Sequence, residues 1–327
     1  MGFNDEKTVL ITGCSSGIGR CLAHGLRARG WRVFATARKP ADVTTLAAEG
    51  FESLPLDVTS PDSIAAAVDD VLRRTGGRLD ALINNAGFGL PGAVEDLSRA
   101  GLRVQFETNV FGGQELIRRL MPVFRAQGKG RIVQMSSMLG YVALAYRGAY
   151  CASKYAIEGL TDALRLELRG TNIHVAIVEP GPIKAKFRDN AYAAFKAYVD
   201  SAHSAHREQY ETMIARLEGQ RGPLPFTLPP EAVLKRVVHA LESKHPHRRY
   251  QVDGAGVSDG VAATAAADAM ARLAAPSHRR RWTPLTPRPH RRYQVTVPAY
   301  ASAALKRLLP PPLLDWVLDW VGGRGKR

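Results

Sequence analysis

Short apolar runs alternate with longer amphipathic stretches through the first 180 residues of the chain. The runs are Thr8–Thr12 (TVLIT), Arg32–Ala37 (RVFATA), Ser53–Leu56, Ala81–Asn84 (ALIN), Arg131–Met135 (RIVQM) and His174–Glu179 (HVAIVE). Most are continuous aliphatic or β-branched segments rather than in/out alternations, the pattern of parallel strands covered on both faces. Between them, Ile18–Arg29, Pro61–Thr75 and Tyr150–Leu168 have helical length and amphipathic spacing. This alternation predicts an α/β fold with one doubly wound parallel sheet.

After Pro180 the pattern changes. Residues 182–228 show no clear strand and end in the Pro-punctuated GPLPFTLPP, the character of a substrate lid beyond the strand ends. A helix is predicted from Pro229 to Ser243, with Val233, Val237, Val238 and Leu241 on one side. The segment PHRRYQV occurs twice, at Pro246–Val252 and at Pro289–Val295, 43 residues apart. One short duplicated segment without repeated helices argues against a solenoid. Only one copy is needed as the last strand of a sheet, because one edge offers one row of unpaired backbone groups. The expected organisation is a catalytic domain over 1–252 with its lid at about 182–228. A low-complexity basic insertion follows over 253–288, with a short helix at Val261–Leu273. Residues 289–327 then carry the duplicated segment and an amphipathic tail.

Composition narrows the function classes. Of the 327 residues 45% are hydrophobic, enough for a sizeable core, and the formal net charge is +15. That charge is localised: residues 244–327 hold 15 Lys and Arg against 5 Asp and Glu. No zinc-finger spacing, RNA-binding aromatic signature or basic zipper accompanies it, so a nucleic-acid partner is not expected. Cys14, Cys21 and Cys151 form neither a disulfide framework nor a C-x-x-C pair, which fits a reduced, cytoplasmic setting. No run of about 18 apolar residues occurs, so no membrane span is expected. Leu308–Val321, LLPPPLLDWVLDWV, carries Trp316 and Trp320 on one side, a stretch able to touch a membrane surface or to pack on protein. His245, His247 and His290 lack the acid or Cys spacing of a metal site, and no metal is expected.

The candidate chemistry begins where the first run enters Gly13-Cys14-Ser15-Ser16-Gly17-Ile18-Gly19. Glycines there let the backbone turn tightly and approach a pyrophosphate that the following helix N-terminus stabilises. At the end of the second run, where an acid would bind the adenosine ribose of NAD, stand Arg38 and Lys39, suited to a 2′-phosphate. Tyr150 and Lys154 lie four apart on a predicted helix, so the phenol and ammonium share a face. A neighbouring cation is expected to lower the phenol pKa. Ser137 follows a strand, Asn84-Asn85-Ala86-Gly87 ends another, and Asn109 lies inside the helix-like stretch Leu102–Leu120. An Asn there is mildly unfavourable, which leaves a satisfied structural amide or a functional one.

Taken together, TGCSSGIG at 12–19, Asp57-Val58, NNAG at 84–87, Asn109, Ser137, YCASK at 150–154 and Pro180-Gly181 resemble the short-chain dehydrogenase/reductase family over about residues 7–240. The glycine turn, the TAR segment and YCASK resemble most the branch of 17β-hydroxysteroid and retinol dehydrogenases. The resemblance implies a Rossmann domain in which Tyr150 is the general acid/base and Lys154 lowers its pKa while binding the nicotinamide ribose. Ser137 would hold the reacting oxygen, and Asn109 would order a water relaying protons through Lys154. NADP(H) would contact Gly13, Ser15, Ser16, Gly17, Ile18, Gly19, Arg38, Asp57, Val58, Asn85, Ala86, Gly87, Lys154, Pro180, Gly181 and Ile183. The family usually has a Thr at the position of Ala185, where its hydroxyl meets the nicotinamide carboxamide; its loss weakens that contact. The continuation after the second PHRRYQV copy, Thr296–Tyr300 and Leu305–Leu309, better resembles the family's usual tail, so the second copy is favoured as the last strand.

These features point to an NADP(H)-dependent oxidoreductase acting on a small apolar alcohol, ketone or aldehyde, and to a homo-oligomer through helices around 102–126 and 148–169. Phe88-Gly89-Leu90, Met138–Val142, Phe187, Tyr192 and Phe195 are expected to line an apolar pocket, while Lys184, Lys186 and Arg188 leave room for an anionic substrate. The competing class is a catalytically silent NADP-sensing or scaffold protein, which would not need Ser137, Tyr150 and Lys154 together.

Overall fold

A computed structural model describes residues 6–185, 187–218 and 227–252 of the chain. Strands β1 (Thr8–Ile11), β2 (Arg32–Ala37), β3 (Glu52–Pro55), β4 (Ala81–Asn84), β5 (Gly130–Met135), β6 (Ile173–Pro180) and β7 (Arg249–Val252) form one sheet. Its order is β3-β2-β1-β4-β5-β6-β7, and every neighbouring pair is parallel. The chain runs outward from β1 to β3 and returns to pair β4 with β1. The order therefore reverses between β1 and β4, and a crevice opens at the carboxyl ends of those strands.

Alternation along each strand feeds two cores. Val9 and Ile11 face helices α1 (Gly17–Arg27) and α9 (Glu231–Glu242), packing with Leu22, Leu26, Val233 and Val237. Leu10 turns the other way and meets α3 (Pro61–Arg74) and α5 (Gly112–Gln127) through Val68, Leu116 and Phe124. Both faces are thus apolar, as the continuous apolar runs predict. Helix α2 (Pro40–Ala48) follows β2, and α6 (Gly148–Glu167) follows β5.

The described residues of the predicted lid are mostly helical. Helices α7 (Phe187–Tyr198) and α8 (Arg207–Leu217) close a third apolar cluster of Leu90, Ala93, Ala149, Phe195, Val199 and Tyr210. Tyr210 ties this unit to the body: its hydroxyl accepts from Ala93 N at 2.9 Å and donates to Asp96. Phe195 and Leu90 are consequently fully buried in the lid core rather than lining a pocket, and the Tyr192 hydroxyl donates to Glu218 at 2.7 Å.

The predicted stretch Leu102–Leu120 is not one regular helix. Helix α4 (Arg99–Phe106) passes through a widened π turn at Glu107–Phe111 before α5 begins. A Cβ on Gly112 would lie 2.2 Å from the Val58 carbonyl oxygen, so only glycine lets α5 start this close to the end of β3.

The last strand comes from the first PHRRYQV copy, which corrects the preference for the second. Arg249 to Val252 pair with Ile177 to Pro180, directly after the short connection from α9. Arg249 holds this strand in place. Its guanidinium donates to Glu179 at 2.7 Å, to both Asp162 oxygens at 2.7 and 2.8 Å, and to Glu158. Tyr250 adds a hydroxyl contact with His239 Nδ1 at 2.9 Å. The second copy, the 253–288 insertion with its predicted helix, and Leu308–Val321 lie outside the described residues.

Removing the cation would leave buried Glu158 and Glu179 uncompensated. Arg249→Met is expected to lower stability by about 3–5 kcal/mol in denaturant titrations. It should cost more than the matching change at Arg292 in the second copy; a larger loss at Arg292 would move the edge strand there.

Candidate active site

All of the sequence-predicted cofactor residues within the described chain gather at the carboxyl end of the sheet. Gly13 and Gly17 have φ of 73° and 56°, the left-handed region that favours glycine. Gly19 is constrained by space, since a Cβ there would sit 2.1 Å from the Gly13 carbonyl oxygen. The turn is braced from β4. Asn85 Nδ2 donates to the carbonyls of Thr12 and Gly13 at 2.9 and 3.1 Å, while Thr12 Oγ1 accepts from the amides of Asn85 and Ala86, both at 2.9 Å. Ser16, at the N-cap of α1, makes no side-chain cap, and the first turn has no acid. An open helix N-terminus behind a glycine turn is a ready anion site.

Arg38 and Lys39 are exposed at the end of β2 and make no ion pair among the described residues. Cys14 N donates to Thr36 O at 2.7 Å, which holds the turn beside that strand end. Asp57 follows β3, and its Oδ1 accepts from Thr59 N and Oγ1 at 2.9 and 2.8 Å, so one carboxylate oxygen closes a local turn. Val58 is buried against Gly112. Gly181 N donates to Val252 O at 2.8 Å, and Ile183 bridges to Leu228. Ala185 lies against the glycine turn: a Cβ on Gly17 would come 2.9 Å from the Ala185 Cβ. The cradle has the shape and donors for a dinucleotide, so the residues present fit one.

Next to it stand the polar groups of α6 and β5. Lys154 is buried, and its Nζ donates to Met135 O at 2.7 Å. Burial pushes its pKa down to about 8, against the pull of Glu158 one turn away. Tyr150 is pushed up to about 12, also by burial, with a hydrogen bond to Ser137 acting in the opposite direction. Burial thus opposes the lowering of the phenol expected from a neighbouring cation. The Lys154 ammonium lies 5.5 Å from the ring centre. Ser137 Oγ accepts from Leu139 N at 3.2 Å and donates to Pro180 O at 3.3 Å, which fixes it between the ends of β5 and β6.

Asn109 resolves as a satisfied amide. Its Oδ1 accepts from Phe88 N at 3.0 Å, and Nδ2 donates to Phe88 O and Ser153 Oγ, both at 3.0 Å. Both amide hydrogens are thus committed to joining the 88 loop to α6. Asn84 differs: Nδ2 donates to Gly113 O at 3.0 Å, but its buried Oδ1 has no partner. That oxygen borders a small internal cavity lined by Thr12, Thr108, Asn109 and Met135.

The Phe187 ring stands edge-on to Tyr150 at 5.5 Å, and a Cβ on Gly89 would come 2.9 Å from Phe187 Cζ. Gly89, Phe187 and Tyr150 therefore lie side by side. Cys151 is buried beside Tyr150, and burial pushes its thiol up, so it is a packed side chain. Some contributors escaped the sequence reading. Ser153 and Thr12 lay inside motifs already singled out, whereas the Met135 carbonyl carries no sequence signal. Among the described residues there is no group of three or more His, Cys, Asp or Glu able to hold a metal, and no helix is long and apolar enough to cross a membrane.

The fold and this set of groups define a nucleotide-binding α/β oxidoreductase. The chain belongs to the short-chain dehydrogenase family, whose model matches residues 7–196. It is 43% identical over 247 residues to the uncharacterized oxidoreductase YbbO of Escherichia coli (strain K12), covering 76% of this chain and 86% of that one. It is 33% identical to human retinol dehydrogenase 8, covering 76% and 81%. Among solved structures, actinorhodin polyketide ketoreductase with NADPH aligns at a TM-score of 0.63 with 30% identity, covering 78% of this chain and 98% of that one.

A buried ammonium that titrates near 8 rather than at its ordinary 10.5 weighs against folding at neutral pH. The unfolded chain keeps its proton longer, so this penalty is full below pH 8 and fades as pH rises towards 10.5. Lys154→Met is expected to raise the stability of the cofactor-free protein by about 1–2 kcal/mol at pH 7. Thermal melts should show that gain shrinking by pH 10.

Proposed function

We propose that the chain is an NADP(H)-dependent oxidoreductase interconverting an apolar alcohol with its ketone or aldehyde, of steroid-, retinoid- or lipid-like character. The observation that carries this reading is the convergence of Tyr150, Ser137 and the buried ammonium of Lys154 beside a glycine cradle with no side-chain cap. The cofactor, when bound, supplies or accepts the hydride. Everything else falls to side chains of the protein. Ser137 Oγ lies where it can donate to a substrate oxygen. Tyr150, neutral at working pH because burial holds its proton, gives that proton from its hydroxyl during reduction and takes it back during oxidation. Lys154 binds the nicotinamide ribose, and its charge then favours the phenolate. With the Asn109 side chain committed to Phe88 and Ser153, a water relaying protons to Lys154 takes its second partner from the backbone of the π turn.

Arg38 is assigned to the 2′-phosphate, with Ser15 on the same side; its exposed, unpaired guanidinium supports this. The adjacency of Gly89, Phe187 and Tyr150 supports an apolar substrate, as does the retinol in the name of one relative. A homo-oligomer through the helices around 102–126 and 148–169 goes with this reading. The large apolar side chains exposed there, Phe111, Tyr155 and Leu160, support it. A cytoplasmic site of action is supported by three free cysteines.

Tyr150→Phe deletes the transferable proton and keeps the ring. Turnover of apolar ketones and aldehydes should fall about 10²–10⁴-fold, with NADPH affinity in a fluorescence titration little changed. Undiminished turnover would remove Tyr150 as the acid/base, whereas absent turnover in the unsubstituted protein would leave the silent-binder reading. Arg38→Asp offers an acceptor to a free 2′-hydroxyl and repels a phosphate. The kcat/KM ratio of NADPH to NADH should drop by about two orders of magnitude; a constant ratio would remove Arg38 as the selector.

A further inference from the structure

Arg147 is a charged residue for which neither the fold nor the catalytic set accounts. It occupies the N-cap of α6, three residues before Tyr150, and the two side chains interact electrostatically. Its position is imposed. Tyr146 before it is the single non-glycine residue with positive φ among those described, at 61°. The Tyr146 carbonyl accepts from Gly92 N at 3.0 Å, and Arg147 itself bridges to Gly92. A left-handed tyrosine costs backbone energy, and such strain collects where a side chain must be aimed.

Arg147 is half-buried, yet its guanidinium makes no hydrogen bond and no ion pair among the described residues. The acids of the surrounding loops are engaged elsewhere: Glu95 with His206, Asp96 with Ser204 and Tyr210, Glu218 with Tyr192. Other cations gather instead. Arg188 follows Phe187, the ring that stands against Tyr150, and Arg216 on α8 also faces Arg147 electrostatically. Burial, with those two like charges, holds Arg147 below the usual arginine range. The first turn of α6 contributes no acid to offset this field. A partly desolvated, unpaired guanidinium is costly, and an oxyanion is the partner whose geometry it matches.

We infer that Arg147 is a substrate-binding residue for an oxyanion, so that the substrate is an amphiphile: an apolar chain with a carboxylate or similar group close to the reacting carbon. This rests on the reaction proposed above for its placement beside Tyr150, and it deepens the apolar reading by adding a charged end. The short reach from Arg147 to Tyr150 sets the anion near the carbonyl, with Phe187 and Gly89 left for the chain. Lys154, Ser137 and the glycine cradle are not needed for the contact.

The test is a binding measurement on the full chain with saturating NADPH, comparing octanoate with octan-1-ol, which share a chain and differ in charge. Octanoate is expected to bind at least about tenfold more tightly, the effect of charge-assisted hydrogen bonds to a guanidinium. Arg147→Gln should bring the ratio of the two affinities close to one, while Arg147→Lys should retain part of it. Equal affinities in the unsubstituted protein, or a preference that survives Arg147→Gln, would overturn the assignment. Should Arg147→Gln not fold, Arg147→Lys is read alone: a preference undiminished by loss of the bidentate fork also overturns it. Turnover is measured separately on neutral ketones. Absent turnover with the octanoate preference intact would refute the reaction and leave the anion site. Turnover with a ratio of one would do the reverse.

Discussion

The structure depends on keeping one ammonium in the dry end of a parallel sheet. Lys154 can reach only the Met135 carbonyl directly, and the nearest negative charge is Glu158, one turn further along α6. Glu158 cannot stand alone either. It shares Arg249 with Glu179 and Asp162, so the carboxylates behind the active site are neutralised by a residue from the last strand. A chain of buried charges thus links catalytic helix, sheet edge and β7. It explains why a four-residue strand at the edge is locked in register. The same burial pushes Tyr150 up and Lys154 down, each towards its neutral form.

The cofactor side follows a different rule, exclusion of side-chain volume. Gly19 and Gly112 each leave space that a single methyl would take from a carbonyl oxygen. Around these gaps the polar groups brace one another, Asn85 and Thr12 across β1 and β4, Asn109 and Ser153 across the π turn and α6. Preorganisation here comes from amides and hydroxyls whose hydrogen bonds are nearly all used within the protein. What remains open is the helix N-terminus of α1 and the unpaired Arg38, both suited to phosphate. The lid is built from a third apolar cluster, pinned by Tyr210 to Asp96 and Ala93. Most of its aromatic residues therefore serve packing, and Phe187 alone of the expected lid aromatics reaches Tyr150.

The sequence by itself determined the sheet, the glycine turn and the candidate groups of the site. Continuous aliphatic runs have few alternatives to buried parallel strands, and the glycine spacing together with Tyr150, Lys154, Ser137 and NNAG reads locally. Tertiary structure decided whatever depends on distance across the chain. The preference for the second PHRRYQV copy failed because identical segments have identical local propensity. The short connection from α9 delivers the first copy to the edge beside β6, where the carboxylates of α6 and β6 neutralise Arg249. The phenol shows the same division: sequence spacing brings a cation near, but burial, which opposes its effect, is a property of the packed fold. Asn109 was open between two readings until Phe88 and Ser153 came within reach of it. Arg147 was silent in the sequence because an arginine before a helix is ordinary; its lack of an acidic partner among the described residues exists only once α8, the Gly92 loop and α6 have been brought together.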